Sequence, residues 1–227
     1  LKAKPFVIKT ESRNLSTETL IIATGASAMW LNLESEQRLR GKGVSACAVC
    51  DGFFFKDKVV VVVGGGDTAM REVNYLSKLC KQVTVIHRRD KLRAQPALQE
   101  LVKTKSNVEF IWNSEIIEVL GQEKVTGVKI KNTQTGEIRQ LQIDGLFIAI
   151  GHRPNTDFLK GQLELDIKGY VIVENETHTN IPGVFVAGDL ADYKYRQAVT
   201  AAGAGCKAAF DVEEYLEGMN SPTGGNV

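Results

Sequence analysis

Two cysteines separated by two residues, with an aspartate directly after the second, lie in the segment "SACAVCDGF" at residues 45–53. Three chemistries suit such a pair: half of a zinc site, a structural staple, or a redox-active dithiol. Zinc needs two further ligands. The sequence has no second C-x-x-C, and His87, His152 and His178 do not stand at ligand spacing. No metal is therefore expected. A staple across two residues closes so short a loop that it stabilises little. A redox pair is the natural choice. In C-x-x-C the thiolate pKa values are depressed and unequal, so one sulfur attacks while the other resolves. Asp51 stands where it can move a proton to or from a departing thiol; the bland alternative is that it caps a helix or turn.

A second constellation begins at residue 59. "VVVVV" (59–63) is a continuous apolar run, as in a strand buried on both faces of a parallel sheet. "GGGDTA" (64–69) follows it, and Gly64, Gly66 and Ala69 match G-x-G-x-x-A. The first glycine permits the tight turn, and the second lets the backbone approach a pyrophosphate at a helix N-terminus. An NAD site would place Asp or Glu about 20 residues further on. Here that place holds "HRRDKLRA" (87–94). Arg88 and Arg89 fall at the end of the next strand and Arg93 shortly after. Guanidinium forks suit a ribose 2′-phosphate by charge and geometry, so NADPH is expected over NADH. The bland alternative is a solvated basic turn.

The elements that must position these residues alternate in type. A helix is expected over "AMREVNYLSKL" (69–79), a strand over "QVTVIH" (82–87), a helix over "QPALQELVKTK" (95–105) and a strand over "VEFIW" (108–112). Residues 114–143 are short alternating stretches, read as an antiparallel meander inserted in the α/β fold. "GLFIAIG" (145–151) is again a buried strand, and "HRPNT" (152–156) an exit loop. "PFVIKT" (5–10), "ETLIIATGA" (18–26), "GYVIV" (169–173) and "IPGVFVAGD" (181–189) read as strands, with a closing helix over about residues 196–216. The tail from residue 218 is expected to be disordered or a linker.

Composition narrows the class. The chain has 227 residues, 43% hydrophobic and 24% charged, with a formal net charge of +1. That suits one large or two smaller globular domains and gives no basic footprint for nucleic acid. No apolar run approaches the roughly 20 residues of a membrane helix, so no membrane partner is expected. Four cysteines are too sparse for a secreted disulfide scaffold, and a cytoplasmic protein is expected. Cys80 and Cys206 sit in apolar helical patterns and read as buried core thiols.

Seven segments in collinear order carry a family resemblance: "IIATGA" (21–26), "CAVCDG" (47–52), "VVGGGDTA" (62–69), "HRRDKLRA" (87–94), "GLFIAIGHRPNT" (145–156), "GVFVAGD" (183–189) and "YRQAVTAAGAG" (195–205). From Leu1 to about Met219 the chain resembles the low-molecular-weight thioredoxin reductases among the pyridine nucleotide-disulfide oxidoreductases. The resemblance implies two Rossmann-like nucleotide-binding domains of the three-layer ββα type, the NADPH domain (29–157) inserted in an FAD domain (1–28 and 158–227). It implies FAD and NADPH as cofactors, thioredoxin as protein substrate and a homodimer. Cys50 would lie beside the flavin, Cys47 would attack thioredoxin, and Asp51 would be the acid/base. Gly64, Gly66, Asp67, Thr68, Arg88, Arg89 and Arg93 would hold NADPH. Thr24, Gly25, Gly188, Asp189, Arg196, Gln197 and Ala198 would hold FAD. Hinges would fall near Ser27–Met29 and Asn155–Asp157.

The chain departs from the pattern at Asp67 and Arg71, where relatives often carry Asn and Glu. Relatives also open with a strand, a G-x-G-x-x-G loop and a helix that hold the flavin's ADP moiety. These residues lack that pattern, so an N-terminally truncated reductase with an incomplete FAD domain is expected. Three other readings compete with NADPH:thioredoxin-disulfide reductase. One is a relative that takes electrons from ferredoxin and has lost its pyridine-nucleotide motifs, against the intact "GGGDTA". The flavoprotein of a peroxide-reducing (alkyl hydroperoxide reductase) system favours NADH, against the arginine pair. An inactive nucleotide-binding fragment is the reading motivated by the missing first FAD motif.

Overall fold

A computed structural model describes Leu1 and residues 3–220, and its chain forms two compact units. One unit is Ala28–Gly151; the other comprises Leu1–Ser27 and the chain from His152 onward. The expected flexible tail lies, from residue 221, outside the described residues.

In the unit Ala28–Gly151, five parallel strands form one sheet, in the order Val44–Ser45, Gly145–Ile148, Val59–Val63, Gln82–Ile86, Val108–Ile111. The all-valine strand has both faces buried, and successive side chains divide between two cores. Val60 and Val62 point to the helices Asp67–Leu76 and Pro96–Lys103, joining Met70, Val73, Leu76 and Val102. Val61 and Val63 point the other way, to Ile116, Val119, Val128 and Ile130 of a three-stranded antiparallel sheet. That sheet is the expected meander, Ser114–Leu120, Gly127–Asn132 and Ile138–Gln142, with the middle strand central. The unit is thus a helix layer, a parallel sheet and an antiparallel sheet, in that order.

The helix expected over residues 69–79 starts at Asp67, two residues before the apolar pattern predicts. Gly66 is its extended N-cap, so the polar first turn is already helical. It ends at Leu76, where Lys78 N–H bonds Tyr75 O and Leu79 N–H bonds Leu76 O in tightened turns.

In the other unit, Leu20–Ile22 pairs in parallel with Val184–Val186, and Ala198–Asn220 is one long helix packed on Phe185. Three expectations need correction here. "HRPNT" is not all loop, since His152–Pro154 is a short strand paired with Ala26–Ala28. "GYVIV" makes only one isolated bridge, Leu165 with Val171. The Asp166 carboxylate accepts from Lys168 N–H and Tyr170 N–H in a tight turn, and the segment pairs back on the residues just before it instead of joining a sheet. Cys206 is exposed rather than buried: Ala204, Ala208, Val212 and Tyr215 carry the helix's packed face, and position 206 lies off it. Cys80 is buried as expected, and burial together with the Asp57 charge pushes its thiol up to about 11. The polar strand Asn14–Thr17, antiparallel to Phe6–Lys9, was not expected.

Phe147 is fully buried in the helix-side core, edge-on to Phe55 with ring centroids 5.3 Å apart. Phe147→Ala is expected to cost about 3–5 kcal/mol in urea unfolding. A loss under about 1 kcal/mol would contradict this packing.

Candidate active site

Both constellations lie past the carboxyl ends of strands in one parallel sheet, where open α/β sheets bind ligands. The cysteine pair follows the edge strand Val44–Ser45. Ser45 is buried, and its hydroxyl accepts Cys47 N–H at 3.0 Å. Cys47 thereby becomes the N-cap of a short helix, Ala48–Asp51, and its sulfur accepts Cys50 N–H at 3.2 Å. The two cysteines form a disulfide, with Cα atoms 5.3 Å apart. Cys50 is exposed and Cys47 half-buried. Asp51 ends this helix half-buried and makes no capping bond for the 3₁₀ turn Gly52–Phe55 that follows, so the capping alternative finds no support. Gly52 lets the segment close on the helix Asp67–Leu76: an added Cβ would stand 3.0 Å from Leu76 Cδ2 and 3.1 Å from Tyr75 Cε1. Val49, Phe53 and Phe54 are exposed at 61%, 70% and 71%, an apolar surface beside the disulfide that the sequence reading missed.

The glycine loop turns tightly past its neighbours. Gly64 has φ +149°, and a Cβ there would strike the Ala149 carbonyl and stand 2.9 Å from Ala69 Cβ. A Cβ on Gly65 would fall 2.6 Å from Nδ1 of the buried His87. Gly66 by contrast faces open space, and the helix N-terminus it precedes has no side-chain cap. That opening beside unshared N–H groups fits a pyrophosphate. Arg88, Arg89 and Arg93 are exposed on the adjoining loop, where they can reach a further phosphate. Thr68 lies in the first helical turn, half-buried. The loop itself is pinned at several points. Gly65 O accepts Arg93 N–H at 2.7 Å and Ala94 N–H at 3.1 Å, Asp67 Oδ1 accepts Gln95 N–H at 2.8 Å, and His87 Nε2 lies 3.0 Å from Lys91 O.

The second unit gathers the remaining residues. Strands Leu20–Ile22 and Val184–Val186 end together, with Ala187 N–H on Ile22 O, so residues 23–25 and 187–189 leave at the same end. The Thr24 hydroxyl donates to Asn155 O at 2.8 Å, and Gly25 O accepts Asn155 N–H at 2.9 Å. Gly188 has φ +86°, and a Cβ there would press on Ala201 at 3.4 Å. Burial, with the Asp192 charge, raises the Asp189 pKa against the opposing pull of Arg196. Asp192 accepts N–H groups from Lys194, Tyr195 and Arg196, holding Arg196 at φ +49°. Gln197 N–H meets Thr200 Oγ1 at 3.2 Å, and Ala198 opens the long helix. A groove of about 460 Å³, lined among others by Gly188, Asp192, Tyr195, Thr200 and Lys207, runs along that helix. Buried His152 Nδ1 has no partner, and burial and the Arg196 charge lower its pKa. A half-buried Asp189 carboxyl and a constrained arginine beside a groove fit a polyol chain and ring of flavin type.

The family model described as pyridine nucleotide-disulphide oxidoreductase matches residues 2–205. The chain is 53% identical to a thioredoxin reductase of Coxiella burnetii over 97% of its own length and 72% of the relative's. It is 52% identical to one of Streptomyces clavuligerus over 89% of its length and 63% of the relative's. The solved thioredoxin reductase of Giardia duodenalis superposes with a TM-score of 0.88 at 46% identity, covering 95% of this chain and 72% of that one. The chain belongs to the pyridine nucleotide-disulphide oxidoreductases and, within them, to the thioredoxin reductase family. It spans 63% to 72% of the length of the two curated relatives.

Buried His87 and half-buried His152 give a pH signature. Burial lowers the pKa of both His87 and His152 from 6.5, with nearby arginines adding to it. Below 6.5 the unfolded chain binds these protons before the folded one does, so stability is full above that value and lost as pH falls toward the folded values. Urea unfolding at pH 7.5, 6.5 and 5.5 is expected to follow that course, with a smaller loss in His87→Asn. Stability that rises on acidification, or an unchanged loss in the variant, would contradict it.

Proposed function

We propose that this chain carries the working parts of an NADPH-dependent reductase of thioredoxin disulfide. The observation behind the reading is that one sheet edge bears both a dinucleotide loop with three free guanidinium groups and a C-x-x-C disulfide. The unit Ala28–Gly151 is the NADPH domain, and the other unit is the part of the FAD domain contained in these residues. Gly64, Gly66 and Thr68 take the pyrophosphate, and Arg88, Arg89 and Arg93 the 2′-phosphate. Thr24, Gly25, Gly188, Asp189, Arg196, Gln197 and Ala198 face the flavin. FAD, when bound, supplies the relay between a two-electron nicotinamide donor and the disulfide.

Once the pair is reduced, the remaining chemistry belongs to the chain's own side chains. The Cys47 thiolate is stabilised by Cys50 N–H and is the attacking sulfur. It displaces one sulfur of thioredoxin's disulfide and forms a mixed disulfide, and the displaced thiolate takes a proton. Cys50 then attacks Cys47 Sγ, freeing the second thioredoxin thiol and restoring the Cys47–Cys50 bond. Asp51 moves the proton between the departing sulfurs and solvent. Val49, Phe53 and Phe54 offer the protein substrate an apolar landing surface. Alternation between nicotinamide and thioredoxin uses the hinges near Ser27–Met29 and Asn155–Asp157. The working protein is a cytoplasmic homodimer; no described helix is long and apolar enough to cross a membrane.

Cys47→Ser is expected to keep NADPH-dependent bleaching of flavin absorbance while losing at least about a hundredfold in thioredoxin turnover. Turnover like the parent's would remove Cys47 from the attacking role. Replacing Phe53 and Phe54 by serine is expected to raise KM for thioredoxin severalfold and leave KM for NADPH unchanged. Equal effects on both constants would contradict the landing surface.

A further inference from the structure

Asp67 heads the helix that follows the glycine loop, where a carboxylate suits the helix dipole but opposes an incoming pyrophosphate. Its Oδ1 is engaged 28 residues away in sequence, accepting Gln95 N–H at 2.8 Å. Gln95 is the residue at which the loop carrying the arginines becomes the helix Pro96–Lys103. The same loop is held at Gly65 O by Arg93 N–H and Ala94 N–H, while His87 turns back to Lys91 O. Residues 93, 94 and 95 are thus fixed against the phosphate loop in succession. Of these pins only the one at Gln95 depends on a side chain of the helix start. The exposed arginines therefore stand on a backbone already ordered before any ligand arrives.

We propose that Asp67 is a specificity-determining positioning residue: it sets the arginine loop for a 2′-phosphate by holding Gln95 N–H. The proposal rests on the reading of this site as one for NADPH. Its physical basis is preorganisation. A ligand with a 2′-phosphate needs the loop in place and bears the cost of ordering it if the pin is lost. A ligand without that phosphate does not call on the loop and bears no such cost. Loss of the pin should therefore erode discrimination between the two nucleotides, which a general weakening of the phosphate loop would not do.

Two substitutions remove the bond from opposite sides. Asp67→Ala deletes the acceptor, while Asp67→Asn retains a carbonyl oxygen in the same place. Gln95→Pro deletes the donor; the φ of −57° at Gln95 already suits proline, and its side chain is exposed. Binding of NADPH and NADH to the full chain is followed by nicotinamide fluorescence, with circular dichroism to confirm that each variant is folded. The parent should prefer NADPH; if it does not, the reading of the site fails, independently of the role of Asp67. Given that preference, Asp67→Ala and Gln95→Pro should each reduce the NADPH:NADH affinity ratio about tenfold. The double variant should lose no more than either alone, and Asp67→Asn should stay within about twofold of the parent. An unchanged ratio in Asp67→Ala would overturn the proposal. So would an equal loss for both nucleotides, or a ratio preserved in folded Gln95→Pro.

Discussion

The chain has no room for a side chain at Gly64 or Gly65, and the dinucleotide site depends on that. A Cβ on the first would enter the Ala149 carbonyl, at the end of the neighbouring strand, and one on the second would enter the His87 ring. Three strand ends, those of Val59–Val63, Gln82–Ile86 and Gly145–Ile148, therefore converge on one turn of backbone. The convergence brings the arginine loop within hydrogen-bonding distance of Gly65 and Asp67. It also fixes the start of the helix against which the cysteine segment closes through Gly52. Close approach at glycines, to a carbonyl at Gly64 and to side chains at Gly65 and Gly52, makes the two chemistries neighbours.

Much of this was legible in the sequence because burial writes a regular pattern. A run of five valines signals a strand covered on both faces, and the two valine sets do enter two different cores. Alternation over residues 114–143 signals a sheet covered on one face, and three antiparallel strands form there. What was illegible has no period. Asn14–Thr17 is a polar strand with little buried surface, held mainly by pairing. "GYVIV" has the composition of a sheet strand, but the Asp166 side chain shapes a tight turn that folds it back on residues 164–166. Composition at residue 206 resembled a core helix, and only the packed face of Ala204, Ala208 and Val212 reveals that the cysteine lies outside it.

The site shows the same division. Residue type and spacing picked out the cysteines, the glycines and the arginines, since those carry the chemistry. The bonds that hold them did not stand out: Ser45 under Cys47, Asp67 (named only for the nucleotide) on Gln95 N–H, and Asp192 holding Arg196 in a left-handed backbone. Each acts through a main-chain group, which any residue possesses, so nothing in the partner's identity marks the contact. Asp51 is a borderline case. Its neighbour Cys50 suggested a proton carrier, and the absence of a capping bond leaves its carboxylate available for that task.

The central claim is that reducing power from NADPH reaches Cys47 and Cys50 through FAD. The direct measurement is anaerobic addition of NADPH to the protein with and without FAD, followed by thiol alkylation and mass analysis of the peptide that holds residues 47 and 50. Two added groups are expected on that peptide only when both NADPH and FAD are present, with Cys80 and Cys206 accounted for separately. A peptide that stays oxidised while the flavin bleaches, or one that is labelled without FAD, would contradict it.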